Sequence, residues 1–118
     1  MKTVLIVDDS AMMRGMIRSA LNNHGGYQVI GEANNGQVGV EKFKELNPNI
    51  VTMDGTMDVM NGFDALRLII KHNPEAKVVM VSSMGQEIMV KEAILAGAKG
   101  FIVKPFEEAR LIEALEKL

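Results

Sequence analysis

Five short runs rich in valine and isoleucine alternate with five longer stretches of helical period, and this alternation constrains the fold more than any other feature of the chain. The runs are TVLIV (3–7), YQVIGEA (27–33), NIVTM (49–53), KVVMV (77–81) and GFIV (100–103). Helices are expected over 11–23, 36–46, 62–72, 86–96 and 107–118, with stop signals at Gly25-Gly26, Pro48, Pro74 and Gly97. Strands that are apolar on both faces and separated by helices fit a parallel sheet covered on both sides and joined by right-handed crossovers. The expected class is α/β, a (βα)5 doubly wound parallel sheet. With 118 residues and no linker, repeat or low-complexity tract, one domain over 1–118 is expected. The ten methionines fall mostly at strand or helix-face positions, where they are expected to fill the core.

Composition excludes several chemistries. Cysteine is absent, which removes disulfides, thiolate metal sites and thiol nucleophiles, and fits a reducing compartment. Thirteen basic residues against fifteen acidic ones leave a net charge of −2, so a long nucleic-acid track or an anionic membrane surface is not indicated. The first apolar run, VLIV, is too short for a signal peptide or a membrane span and is closed by two acids. A soluble, cytoplasmic protein is expected.

In a parallel sheet of this kind the chemistry gathers at the carboxyl ends of the strands. The residues there are Asp8-Asp9-Ser10, Asp54, Ser82-Ser83 and Lys104-Pro105. Three carboxylates brought to one edge repel each other, and a hard divalent cation with oxygen ligands relieves that repulsion. Such an edge also suits phosphoryl transfer. A carboxylate can attack phosphorus to form an acyl phosphate while cation, lysine and hydroxyl balance the charge on the transferring oxygens. Taken singly, each residue has a plainer reading: Asp9 or Ser10 as a helix cap, Ser82 as a turn hydroxyl, Lys104 as a solvated charge. The combination favours a phosphoryl-accepting site. His24 and His72 have no second ligand at metal spacing and read as surface residues.

The strings VLIVDDSAMMR, VTMD, MNG, VSSMGQ and AGAKGFIVKPF, spread over nearly the whole chain, resemble response-regulator receiver domains, in particular single-domain chemotaxis regulators of the CheY type. The resemblance implies a flavodoxin-like sheet of strand order 2-1-3-4-5, which periodicity alone does not give. It assigns Asp54 as phosphoacceptor and Asp8, Asp9, Asp54 and the main-chain carbonyl of Thr56 as ligands of Mg²⁺, with Mn²⁺ as an alternative. It places Lys104 and Ser82 against the phosphoryl oxygens and makes Ser82 and Phe101 the switch pair. It implies a cis bond before Pro105 and gives Thr56 and Met84 influence over the lifetime of the acyl phosphate.

Two positions depart from that pattern. Gly55 stands where the family commonly has a bulky residue, and Asp58 where it commonly has proline, and both changes are expected to loosen the loop. Asp58 is expected out on the loop, solvated and apart from the acids. The same stretch brings up a haloacid-dehalogenase-type phosphatase through Asp54-Gly55-Thr56, but its nucleophile position would be Thr52 and no cap domain is present. A flavodoxin lacks its phosphate loop here, and the acids of 54–61 lack EF-hand spacing.

The resemblance therefore implies a signalling switch and not an enzyme in the ordinary sense. It would be phosphorylated by a sensor histidine kinase, would slowly dephosphorylate itself, and would act on a flagellar motor switch protein or another output protein through the surface around the fourth helix, fifth strand and fifth helix. A phosphatase is a further implied partner. Nucleic acid and membrane insertion are not implied, and a monomer is expected. The alternative within signalling is a receiver or phosphorelay module of another two-component pathway. The chain is expected to end inside the fifth helix at Leu118 with no output domain after it.

Overall fold

A computed structural model describes residues 1–118. Five strands and five helices alternate: β1 (Lys2–Val7), α1 (Ala11–His24), β2 (Tyr27–Ala33), α2 (Gly36–Leu46), β3 (Ile50–Asp54), α3 (Gly62–His72), β4 (Lys77–Ser82), α4 (Glu87–Leu95), β5 (Gly100–Val103) and α5 (Glu108–Glu116). All pairings are parallel and the strand order is 2-1-3-4-5, as the resemblance implies.

Alternation along each strand sorts the core into two halves. Val4, Ile6, Ile50, Val79, Val81 and Ile102 point toward α1 and α5, where they meet Ile17, Leu21, Leu111 and Leu115. Leu5, Val7, Val51, Met53, Val78 and Met80 point the other way and pack on Phe43, Phe63, Leu66, Ile69 and Ala93 of α2, α3 and α4. Three of the crossovers start from a side-chain cap: Ser10, Asn35 and Asn61 accept the amide N–H of Met13, Val38 and Asp64 at 3.1, 2.9 and 2.9 Å. These caps fix where α1, α2 and α3 leave the active edge. No helix is long and apolar enough to cross a membrane.

Several boundaries differ from the sequence reading. The third strand begins at Ile50, because the Asn49 side chain is used as a bracket that accepts the backbone N–H and the hydroxyl of Thr3 at 2.7 and 3.0 Å. It extends to Asp54, which pairs with Val81. The last helix stops at Glu116, so Leu118 lies beyond it rather than inside it. Of the ten methionines, Met53, Met57 and Met80 are buried and Met13, Met60 and Met89 pack partly buried against the core, as expected, whereas Met1, Met12, Met16 and Met84 are exposed. On α1 the buried stripe runs through Ile17, Ala20 and Leu21, which turns Met12 and Met16 outward.

Thr52 sits mid-strand in β3, fully buried, and its hydroxyl has no hydrogen-bond partner. An unpaired buried hydroxyl costs about 1 to 3 kcal/mol, while a methyl in its place costs nothing comparable. Thr52→Val is expected to stabilise the fold by about 1 kcal/mol, read as a higher midpoint in urea with an unchanged slope. A lower midpoint would show that the hydroxyl is paired in solution.

Candidate phosphoryl-accepting site

The strand register brings the acids level. Val7 pairs with Met53, so Asp8 and Asp54 leave neighbouring strands in the same row, and Ser82 pairs with Val103 one step before Lys104. Asp8, Asp54 and Ser82 are buried, Asp9 is exposed, and Lys104 is partly buried. One carboxylate oxygen from each of Asp8, Asp9 and Asp54 lies within 4.8 Å of the other two. Asp58 is exposed on the loop and does not join this group.

Lys104 bridges the two buried acids, its Nζ donating to Asp8 Oδ2 at 2.8 Å and to Asp54 Oδ1 at 3.2 Å. Burial alone would pull the ammonium down, but its hydrogen bond to Asp8 and the charges of Asp8 and Asp54 outweigh this and hold it above the ordinary lysine range. Asp54 is displaced upward. Burial is the largest cause and the charge of Asp8 the next, with Lys104 pulling back and Asp9 adding a further push. The ammonium meets two of the three clustered carboxylates, and Asp54, buried beside Asp8, is the acid displaced upward. This oxygen-only, charge-deficient donor set fits a hard divalent cation such as Mg²⁺.

The remaining sequence candidates lie around this edge. Ser82 makes no hydrogen bond to Asp54, its Oγ accepting instead the amide N–H of Met84 at 3.1 Å. Thr56 Oγ1 donates to Met84 Sδ at 3.4 Å, so these two exposed residues touch across the mouth of the site. Phe101 is half-buried against the α3 and α4 side of the core. The Lys104-Pro105 peptide bond is cis. Thr52, the nucleophile position of the phosphatase reading, is buried two residues before the strand end.

The loop after Asp54 is hydrogen-bonded near both of its ends. Gly62 N–H donates to Gly55 O at 2.9 Å, and Gly36 N–H donates to Met60 O at 3.0 Å. A Cβ on Gly62 would fall 1.7 Å from Asp54 O, so only glycine fits where α3 begins against the acid's own backbone. Between these ties Val59 takes a φ of +70°, a region that β-branched residues rarely adopt.

One contributor had no role in the sequence reading. Arg14 donates to the Asp8 carbonyl at 2.7 Å and, through Nε, to Glu32 at 2.9 Å, bracing the turn that carries the acid pair. Its only signal is position, four residues after Ser10 on the first turn of α1.

Residues 4–116 match the response regulator receiver domain family. The chain belongs to that family. The receiver is 57% identical to the chemotaxis protein CheY of Thermotoga maritima over 117 residues, covering 99% of this chain and 97% of the relative. It is 51% identical to the chemotaxis protein CheY of Bacillus subtilis, covering 97% of this chain and 94% of that one. Among solved structures it superposes with a TM-score of 0.95 on a CheX–CheY–BeF3–Mg complex from Borrelia burgdorferi, at 36% identity and with 98% of this chain and 87% of that one covered. The receiver is thus a two-component signalling module similar to the chemotaxis regulators, and the phosphatase reading is not favoured.

Charge crowding at Asp54 makes a measurable prediction. A folded acid held above its ordinary range contributes stability when protonated, and that contribution is lost as pH rises through its folded value. At neutral pH in the presence of a chelator, Asp54→Asn is therefore expected to raise the melting temperature, by roughly 4 °C for each kcal/mol recovered. An unchanged or lower value would show that Lys104 already offsets the burial of the acid.

Proposed function

We propose that this receiver is a single-domain switch that accepts a phosphoryl group on Asp54 from a phosphohistidine of a sensor histidine kinase. The observation that carries this reading is the Lys104 ammonium lying between Asp8 and Asp54 in a cluster of three strand-end carboxylates. An Asp54 carboxylate oxygen attacks phosphorus, the phosphorus–nitrogen bond breaks as the phosphorus–oxygen bond forms, and the departing imidazole takes a proton from solvent. Lys104 then has phosphoryl oxygens to pair with, and Ser82, rotating away from the Met84 amide, donates its hydroxyl to one of them.

Asp8, Asp9, Asp54 and the Thr56 main-chain carbonyl would hold Mg²⁺, which supplies neutralising charge to the carboxylates and to the phosphoryl oxygens. The Mg²⁺ and beryllofluoride named for the similar spirochaete complex support this choice. The resting surface around α4, β5 and α5 would change as Ser82 and Phe101 move together, passing the signal to a flagellar motor switch protein in the cytoplasm. The similarity to chemotaxis regulators supports that target, and the CheX named in the Borrelia burgdorferi complex supports a further protein partner, for which a phosphatase is proposed. The receiver would act as a monomer and would dephosphorylate slowly by itself.

With Mg²⁺ and a small phosphodonor, intact-mass analysis is expected to show one added phosphoryl group, lost in Asp54→Ala. It should be strongly reduced in Lys104→Met and abolished by chelation. Peptide mapping that places the label on Asp58 or any other acid would overturn the assignment.

The Thr56–Met84 contact predicts the lifetime. With the Thr56 hydroxyl turned to sulfur, neither residue offers a base to orient water toward the acyl phosphate. Met84→Glu and Thr56→Asn are each expected to shorten the half-life of the phosphorylated form, by about tenfold for the glutamate, below the full range of a positioned base. Unchanged decay in both would exclude this mouth as the path of the attacking water.

A further inference from the structure

Gly55 follows the acceptor, and its φ lies outside the left-handed region, so no backbone demand calls for glycine there. What forbids a side chain is space. A Cβ at residue 55 would fall 2.8 Å from Ser82 Oγ, 3.1 Å from Ser82 Cβ and 3.2 Å from a ring carbon of Phe63. The volume a methyl would fill is occupied by the Ser82 hydroxyl, parked there while it accepts the Met84 amide. Serine has three staggered wells, and this is the well that a residue-55 side chain would close.

We infer that Gly55 is a positioning residue for the Ser82 hydroxyl: the missing side chain provides the seat in which that hydroxyl rests when Asp54 is unmodified. The inference rests on the proposed role of Ser82 toward the phosphoryl group. The seat stabilises the resting rotamer relative to the one that reaches Asp54, so it sets how much of the receiver is ready to hold a phosphoryl group. Crowding the seat raises the population of the ready rotamer, and apparent affinity for a phosphoryl mimic rises by the same factor. The Phe63 ring lies against the same space, 3.2 Å from where that Cβ would be.

The experiment has two arms on Gly55→Ala. Three-bond Hα–Hβ couplings of Ser82 in the unmodified protein report its rotamer without reference to phosphorylation. They are expected to shift toward a different staggered well, and unchanged couplings overturn the inference. A fluorine NMR titration with beryllofluoride and Mg²⁺ is expected to show tightening of roughly three- to tenfold over wild type. That gain should vanish when Gly55→Ala is made in a Ser82→Ala background. A shifted rotamer with unchanged affinity overturns the link between seat and site, as does a gain that persists without the Ser82 hydroxyl.

If wild type takes up no beryllofluoride, the phosphoacceptor reading fails, and with it the link to that site, while the couplings still decide whether Gly55 seats the hydroxyl. Should Gly55→Ala fold poorly, recovery by Ser82→Gly supports the seat. Recovery by Phe63→Leu instead assigns the space to the ring and overturns it.

Discussion

Lys104 reaching between Asp8 and Asp54 is the contact on which the rest of this structure turns. Two acids buried side by side are tolerated only when a cation meets both, and a lysine 96 residues from one and 50 from the other supplies it. For that reach to exist, β1, β3, β4 and β5 must lie in register with their carboxyl ends level, and the loop after β5 must turn back over the sheet. The pairing is incomplete as well as necessary. Burial first and the charge of Asp8 next leave Asp54 pushed upward despite Lys104, and an acid so placed gains from any partner that brings positive charge or absorbs its negative charge.

The fold divides its labour between the faces and the edge. Two apolar half-cores, one under α1 and α5 and the other under α2, α3 and α4, clamp the sheet from both sides and hold the strand ends still. Side-chain caps at Ser10, Asn35 and Asn61 start three helices at the same edge as the acids, and Arg14 ties the first of these turns to β2 through Glu32. The proposed switch residues sit at the rim of this frame. Ser82 has a hydroxyl with a backbone partner, Phe101 is half-buried, and Ile88 and Leu95 on α4 and Val103 on β5 are exposed apolar residues.

The stretch from Asp54 to Gly62 shows how glycines with the same chemistry serve different ends. Gly62 is required because helix α3 begins in contact with the backbone of Asp54, and a Cβ there has no room at all. Gly55 borders the Ser82 hydroxyl, a group that can move, so the same absence of a side chain governs a rotamer instead of a chain path. Asp58 and Val59 are exposed between these points, and the strained φ of Val59 is borne by a loop whose two ends are hydrogen-bonded in place.

From sequence alone, the strand and helix alternation was legible to within one or two residues, and so were the strand-end identities of Asp8, Asp9, Asp54, Ser82 and Lys104. Apolar runs, caps and stop signals act over a few neighbouring residues, which is why a linear reading reaches them. Strand order came only through the resemblance, because nothing local tells β3 to lie beside β1. Tertiary structure alone decided that Arg14 braces Asp8, that Asn49 is a bracket rather than a strand residue, and that Met12 and Met16 turn away from the core. It also decided the one fact about Gly55 that composition hides, namely that its empty position is filled by a residue 27 places away. Each of these depends on distances between segments joined only through crossovers, and periodicity along the chain carries no record of such distances.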